Sequence, residues 1–268
     1  IYLLLIDINI IKMKPDFELA KDTAIKAGKL ILKYFNTDYD IKNKSYNNPV
    51  TTADKEADKF IKSNLLANRQ NYGWLSEETK DSPDRLEKKN VWIVDPIDGT
   101  KEFIKGVPEF VVSIGLVKNG EPIIGVIYNP ITEEIFYAKK NGGSFLNDRA
   151  IKCVAKENIS EMTLLNSRTE TKNKLWTPYE NFFYKLKPIG SVAYKLALVA
   201  AGKADVFATL RPKNEWDICA AHCIINESGG KLIDLHGNSR QYNLKNTRIE
   251  PGIIAGEKDA VEKVFSII

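Results

Sequence analysis

The stretch that most constrains this chain is Val91-Trp92-Ile93-Val94-Asp95-Pro96-Ile97-Asp98-Gly99-Thr100. The apolar run from Val91 to Val94 reads as a buried strand, and it ends abruptly in a carboxylate, a proline, a second carboxylate and a glycine. Pro96 fixes φ and removes a backbone donor, while Gly99 permits a sharp turn, so Asp95 and Asp98 can address one space. Two carboxylates that close repel each other unless a cation lies between them. Mg²⁺ takes carboxylates, carbonyls and water, so an Asp-x-x-Asp turn beside the Ile97 carbonyl has the donor set of a magnesium site. The N–H groups of Gly99 and Thr100, at a candidate helix start, suit a phosphate. The same residue types also serve as plain turn caps, a common use of Asp beside Gly and Pro.

Downstream, residues 110–116, 123–128 and 135–138 read as strands, joined by the hairpin signal Lys118-Asn119-Gly120-Glu121 and by Asn129-Pro130. That antiparallel meander is not a simple parallel dinucleotide-binding sheet, and neither a Gly-x-Gly-x-x-Gly after a strand nor a P-loop occurs. Upstream, the apolar positions of 15–35 recur at helical spacing, and 42–49 reads as a polar break. A second helix then begins, with Thr52 as N-cap and Ala53, Ala57, Phe60, Ile61 and Leu65 on its buried face. Asp54 falls in its first turn, where an acid also suits the helix dipole. A short strand over 72–75 leads into Glu77 and Glu78, and 80–90 reads as a charged, flexible loop.

Around residue 150 the pattern becomes a second α/β portion, giving a division into 13–150 and 151–268. Residues 162–166 read as a strand ending in a loop at Ser167-Arg168-Thr169, a place where ligand contacts often sit. Ser191 caps a helix over 192–201 that Gly202 terminates, and 204–209 is a strand. Glu215-Trp216-Asp217-Ile218-Cys219-Ala220-Ala221 opens a further helix, with Asp217 at its start, again a favourable place for an acid. A strand over 252–255 and a closing helix over 258–265 complete the chain.

Asp95-Pro96-Ile97-Asp98-Gly99-Thr100 resembles the signature of the inositol monophosphatase superfamily of metal-dependent, often lithium-sensitive phosphatases. Its continuation Lys101-Glu102-Phe103 is more similar to the 3'(2'),5'-bisphosphate nucleotidase (CysQ-type) branch. The resemblance implies a layered αβαβα sandwich, an α/β (α+β) fold of the inositol monophosphatase and fructose-1,6-bisphosphatase type. It also implies that Glu77, Asp95, the Ile97 carbonyl, Asp98 and Asp217 hold metal, with Glu78 close to Glu77. Asp54 and the Thr100 hydroxyl would orient the attacking water, and Gly99 and Thr100 would contact phosphate. About two or three Mg²⁺ ions would neutralise so acidic a cluster and activate water. Lys195 looks like a phosphate-contacting lysine of the nucleotidases, Ser167 is a candidate substrate contact, and Arg211 or Lys213 could add charge. The spacing from Ser191 to Lys195, the place of Arg211 and the missing His after Ser167-Arg168 depart from the nucleotidase pattern. Inositol monophosphate or a sugar phosphate is therefore the second substrate reading, and a non-catalytic phosphometabolite-binding module is the alternative of another class. Relatives of this kind are commonly homodimers.

The 268 residues can bury a substantial core, and a net charge of +4 with Lys and Arg scattered among the acids does not favour a nucleic-acid polymer as partner. The expected partner is a small phosphorylated metabolite. Cys153, Cys219 and Cys223 with only two histidines build no zinc site of ordinary spacing, and they fit a reducing cytoplasm. Residues 1–11 are apolar but interrupted by Asp7 and Asn9 and too short to span a bilayer, so no membrane role is expected. Met13 is a candidate start, with 1–12 an N-terminal extension.

Overall fold

The computed structural model describes residues 14–45, 48–67 and 69–268, and the expected extension 1–12 lies outside them. In chain order, helix α1 (Asp16–Leu32) is followed by the hairpin β1 (Ile41–Ser45) and β2 (Asn48–Thr51) and by helix α2 (Thr52–Leu66). Next come β3 (Gly73–Ser76), β4 (Asn90–Asp98), a short helix α3 (Thr100–Ile104), and the meander β5 (Val111–Lys118), β6 (Glu121–Asn129), β7 (Glu134–Lys139), β8 (Ser144–Leu146) and β9 (Arg149–Ala150). The second portion runs β10 (Thr163–Ser167), α4 (Arg168–Lys172), β11 (Lys185–Ile189), α5 (Val192–Ala200), β12 (Val206–Thr209), β13 (Lys213–Asn214) and α6 (Glu215–Glu227). It ends with β14 (Lys231–Asp234), β15 (Arg248–Ile249), β16 (Ile253–Gly256) and α7 (Lys258–Phe265).

Strands β3 to β9 form a seven-stranded sheet in sequence order, parallel only between β3 and β4. At the Asn119-Gly120 turn both residues have positive φ, which matches the strand twist, and Lys118 pairs with Glu121 as expected. A five-stranded sheet has the order β11-β10-β12-β16-β14. Ala20, Ala24, Ala27 and Ile31 of α1 and Ala53, Ala57, Ile61 and Leu65 of α2 pack on Trp92, Val94, Val112 and Ile114, one face of the large sheet. Its other face, through Val91, Ile93, Val111 and Ile127, meets Leu196, Val199, Ile218 and Ile224 of α5 and α6, whose far sides rest on Phe207, Ile253 and Ala255. Val261 and Val264 of α7 cover the outer face of the small sheet. The layers are therefore αβαβα, and the middle helix layer is shared by both sheets.

Four local readings are corrected. The polar break is the β1/β2 hairpin, whose sequence lacks the apolar alternation that announces a half-buried strand. Thr51, not Thr52, caps α2, because the Thr51 side chain and Asp54 exchange hydrogen bonds in a capping box. The charged 80–90 segment contains a 3-10 turn, Pro83–Glu87, in which buried Arg85 bonds Asp81 and, across the chain, the side chain of Asn243. The 167–169 loop is the start of α4, capped by Ser167.

Candidate active site

One cavity at the end of β4 is lined by Glu77, Asp95, Ile97, Asp98, Gly99, Thr100, Ser167, Lys195 and Asp217, so elements far apart in sequence meet there. The way β4 ends explains how two acids three residues apart share a face. Asp95 pairs with Ser113 and Asp98 with Val111 on β5, so β4 carries one extra residue over this interval. That bulge restores the alternation and turns both carboxylates to the side of α5 and α6. Gly99 then takes φ 108°, and a Cβ there would meet the Glu109 carbonyl at 2.8 Å, so glycine is required where the strand becomes α3.

Asp95 is 2 % exposed and accepts the Ile97 N–H at 3.0 Å. Burial first, and then the charges of Glu77, Asp98 and Asp217, push its carboxyl well above the usual range. Asp98 is pushed up to about 6 by burial, opposed by the Ser191 hydroxyl, the Ala193 N–H and the charge of Lys195. Asp217 is pushed up to about 7 by burial and by Asp98 and Glu77, and its Oδ2 accepts the Asn214 N–H at 2.7 Å. Glu78 rises to about 7, mainly through burial. The nearby ammonium groups of Lys44, Lys195 and Lys213 oppose this rise without cancelling it, so the cluster is short of compensating positive charge.

The donor set tests which cation fits. Among the described residues no three Asp, Glu, His or Cys side chains close on one point as a finished coordination sphere. Mg²⁺ asks for no such sphere, since it keeps several waters and takes one or two carboxylates together with substrate phosphate. Oxygen donors from Glu77, Asp95, Asp98, Asp217 and the Ile97 carbonyl, with water-accessible space between them, fit that habit.

Asp54, 1 % exposed, lies behind Thr100: the Thr100 hydroxyl is 3.0 Å from Asp54 Oδ1 and 3.1 Å from the Ile97 carbonyl. Burial raises the Asp54 carboxyl, partly offset by hydrogen bonds from Thr51 and Thr100. Asp58 bonds both Ser76 and Thr79 and so brackets the turn that carries Glu77 and Glu78.

Two substrate-side readings change. Lys195 reaches the cavity, but its ammonium is 2.9, 3.1 and 2.6 Å from the carbonyls of Ile189, Gly190 and Ser191, which uses all its donors and leaves none for a phosphate. Arg211 is exposed and does not line the cavity, whereas Lys213 does. Arg168, in the segment read as a place of ligand contacts, and Lys101 and Glu102, read only as part of the resemblance, also line the cavity; reading the sequence missed Lys44, whose Nζ sits 2.6 Å from Glu77 and 2.7 Å from Glu78. Lys44 lies on β1, in the stretch read as a break, and no local pattern marks it.

The model of the "Inositol monophosphatase family" matches residues 12–266. The chain is 34% identical over 212 residues to inositol monophosphatase 2 of Saccharomyces cerevisiae, covering 73% of this chain and 72% of that protein. It is 31% identical over 235 residues to the fructose-1,6-bisphosphatase/inositol-1-monophosphatase of Thermotoga maritima, covering 87% and 90%. Its fold is similar to the crystal structure of the extragenic suppressor protein suhB from Bartonella henselae, with a TM-score of 0.83 and 28% identity over 93% of this chain and 96% of that one. With the acid cluster, its oxygen donors and the layered fold in agreement, this chain belongs to the inositol monophosphatase family of metal-dependent phosphatases.

Proposed function

We propose that this chain is a Mg²⁺-dependent phosphomonoesterase acting on a 3'(2'),5'-bisphosphate nucleotide, with 3'-phosphoadenosine 5'-phosphate converted to AMP and phosphate. The observation that carries the substrate reading is the set of cations beyond the acid cluster: Lys101, Arg168 and Lys213 line the cavity. Burial depresses the Lys101 ammonium pKa, opposed by the charge of Glu102 and helped by those of Lys105 and Arg211. Arg168 is already paired with Glu109, but a single phosphate on Mg²⁺ leaves Lys213 and Lys101 for a second phosphate to engage. Inositol monophosphate is the second reading, favoured by the names of the relatives at 31–34% identity.

Bound Mg²⁺ supplies the positive charge that the phosphoryl and leaving oxygens need. Asp54 and Thr100 handle the water: a Thr100 hydroxyl that donates to Asp54 keeps its lone pairs for a water proton, and Asp54 receives the proton through it. The N–H groups at the start of α3, around Gly99 and Thr100, have no partner in a preceding turn and suit a phosphate oxygen. Ser167 remains a proposed substrate contact on the cavity wall.

The test is the ratio of kcat/KM for 3'-phosphoadenosine 5'-phosphate to that for inositol 1-phosphate, with Mg²⁺, in the wild type and in Lys213→Glu. A ratio above one that falls by about tenfold or more in the variant is expected from a lost charge-assisted contact. A wild-type ratio well below one overturns the nucleotide reading and leaves the inositol phosphate one.

A further inference from the structure

One wall of the cavity, beside Asp98, is the turn Ile189-Gly190-Ser191 between β11 and α5. Its backbone is unusual: Ser191 has φ 51° and ψ 130°, outside the regions open to L-residues at low cost. A conformation of this kind is strained and persists only where its surroundings over-determine it. On one side, Lys195 holds the three carbonyls of the turn. On the other, Glu109 accepts the Gly190 N–H at 2.6 Å, and the Arg168 guanidinium grips Glu109 and lies 3.4 Å from Glu102. Glu102 packs so closely on Gly190 that a side chain there would collide with it. Arg168 and the Gly190 N–H hold the Glu109 carboxyl below its ordinary range although burial works against them.

What this turn supports is a metal donor. The Ser191 hydroxyl donates to Asp98 Oδ2 at 2.7 Å and accepts the Tyr194 N–H at 3.0 Å, and the Ala193 N–H donates to the same carboxylate oxygen at 2.5 Å. A continuous path therefore runs from Arg168 through Glu109, Gly190 and Ser191 to Asp98, and it joins residues on both sides of position 150.

We propose that Glu109 and Arg168 are positioning residues for the metal site: their ion pair pins the Gly190 N–H and, through the strained Ser191 turn, fixes the carboxylate of Asp98. The inference rests on the reading of Asp98 as a Mg²⁺ donor. Groups that orient a metal-binding side chain cost about 10–100-fold in metal affinity when removed.

The test titrates the full chain with Mg²⁺ alone by calorimetry, in the wild type, Glu109→Ala, Glu109→Gln, Arg168→Met, Ser191→Ala and the double variant of Glu109→Ala with Arg168→Met. Glu109→Gln keeps an acceptor for Gly190 and loses the pairing with Arg168, so it and Arg168→Met carry the test if Glu109→Ala does not fold. The expected result is Mg²⁺ binding weakened about 10-fold in Glu109→Ala, Arg168→Met and Ser191→Ala, and less in Glu109→Gln. The double variant should be no weaker than the worse single one, because both residues act along one path. Mg²⁺ affinity within about twofold of wild type in folded Glu109→Gln and Arg168→Met, or fully additive losses, overturns the proposal. A wild type that binds no Mg²⁺ overturns the metal-site reading and the positioning role together.

Discussion

Replacing Asp217 by Asn should stabilise the metal-free protein while weakening its response to Mg²⁺. Burial and the charges of Asp98 and Glu77 raise Asp217 from 3.8 to about 7. At about 1.4 kcal/mol per pKa unit, a rise of about three units corresponds to ~4 kcal/mol of penalty on the ionised form. Partial exposure and the mutual dependence of the acids reduce that to about 2 kcal/mol. Asparagine keeps the oxygen that accepts the Asn214 N–H and is close in size, so the lost charge is the main change. In a chain of this length about 2 kcal/mol moves Tm by roughly 4–8 °C. Thermal denaturation at pH 8 in EDTA should place the variant above the wild type by about that much. Saturating Mg²⁺ should raise the wild type and move the variant far less, because binding stabilises only the state that binds. At pH 5 the folded Asp217 is protonated while the unfolded one is still largely ionised, so the metal-free difference should shrink to roughly a third of its pH 8 value and vanish only below about pH 4. A variant less stable than wild type in EDTA at pH 8, or an advantage undiminished at pH 5, refutes the reasoning.

Other outcomes follow from the same geometry. Asp98 and Asp217 have folded-state pKa values of about 6 and about 7, above the ordinary 3.8, so the folded chain holds more protons than the unfolded one between about pH 4 and 7. Metal-free stability should therefore fall as pH rises through that window, and denaturant midpoints measured in EDTA at pH 5 and pH 7.5 check the sign. Thr100→Ala should lower kcat by about 10²-fold or more with little change in Mg²⁺ affinity, since the hydroxyl is placed to pass a proton to Asp54; steady-state kinetics at saturating metal decide it. Lys195→Met should destabilise the fold by about 2–3 kcal/mol through three orphaned carbonyls, read as a shift in urea midpoint at unchanged slope.

How much of this was visible in the sequence depends on how local each cause is. The β5/β6 hairpin was legible because Asn119-Gly120 carries its own turn chemistry, and α1 because its alanines repeat at helical spacing. Asp95 and Asp98 were legible as a pair, but the bulge that gives them a common face depends on the pairing with β5. The β1/β2 hairpin was not legible, because its strands lack an apolar face, and Lys44 was lost with it. Lys195 shows the limit of residue type as a guide: a lysine near a phosphate site reads as a contact, whereas here its ammonium is consumed by backbone carbonyls that only the folded turn presents. Glu109 and Arg168 lie 59 residues apart, and nothing in either segment announces their pairing.

The most direct test of the whole account is phosphate release from 3'-phosphonucleotides, inositol phosphates and sugar phosphates, with Mg²⁺ or EDTA, by the wild type and Asp95→Asn side by side. The acid cluster predicts release from at least one substrate class with Mg²⁺, none in EDTA, and loss of turnover in a folded Asp95→Asn. Release from none of them by the wild type, or undiminished release by Asp95→Asn, would contradict it.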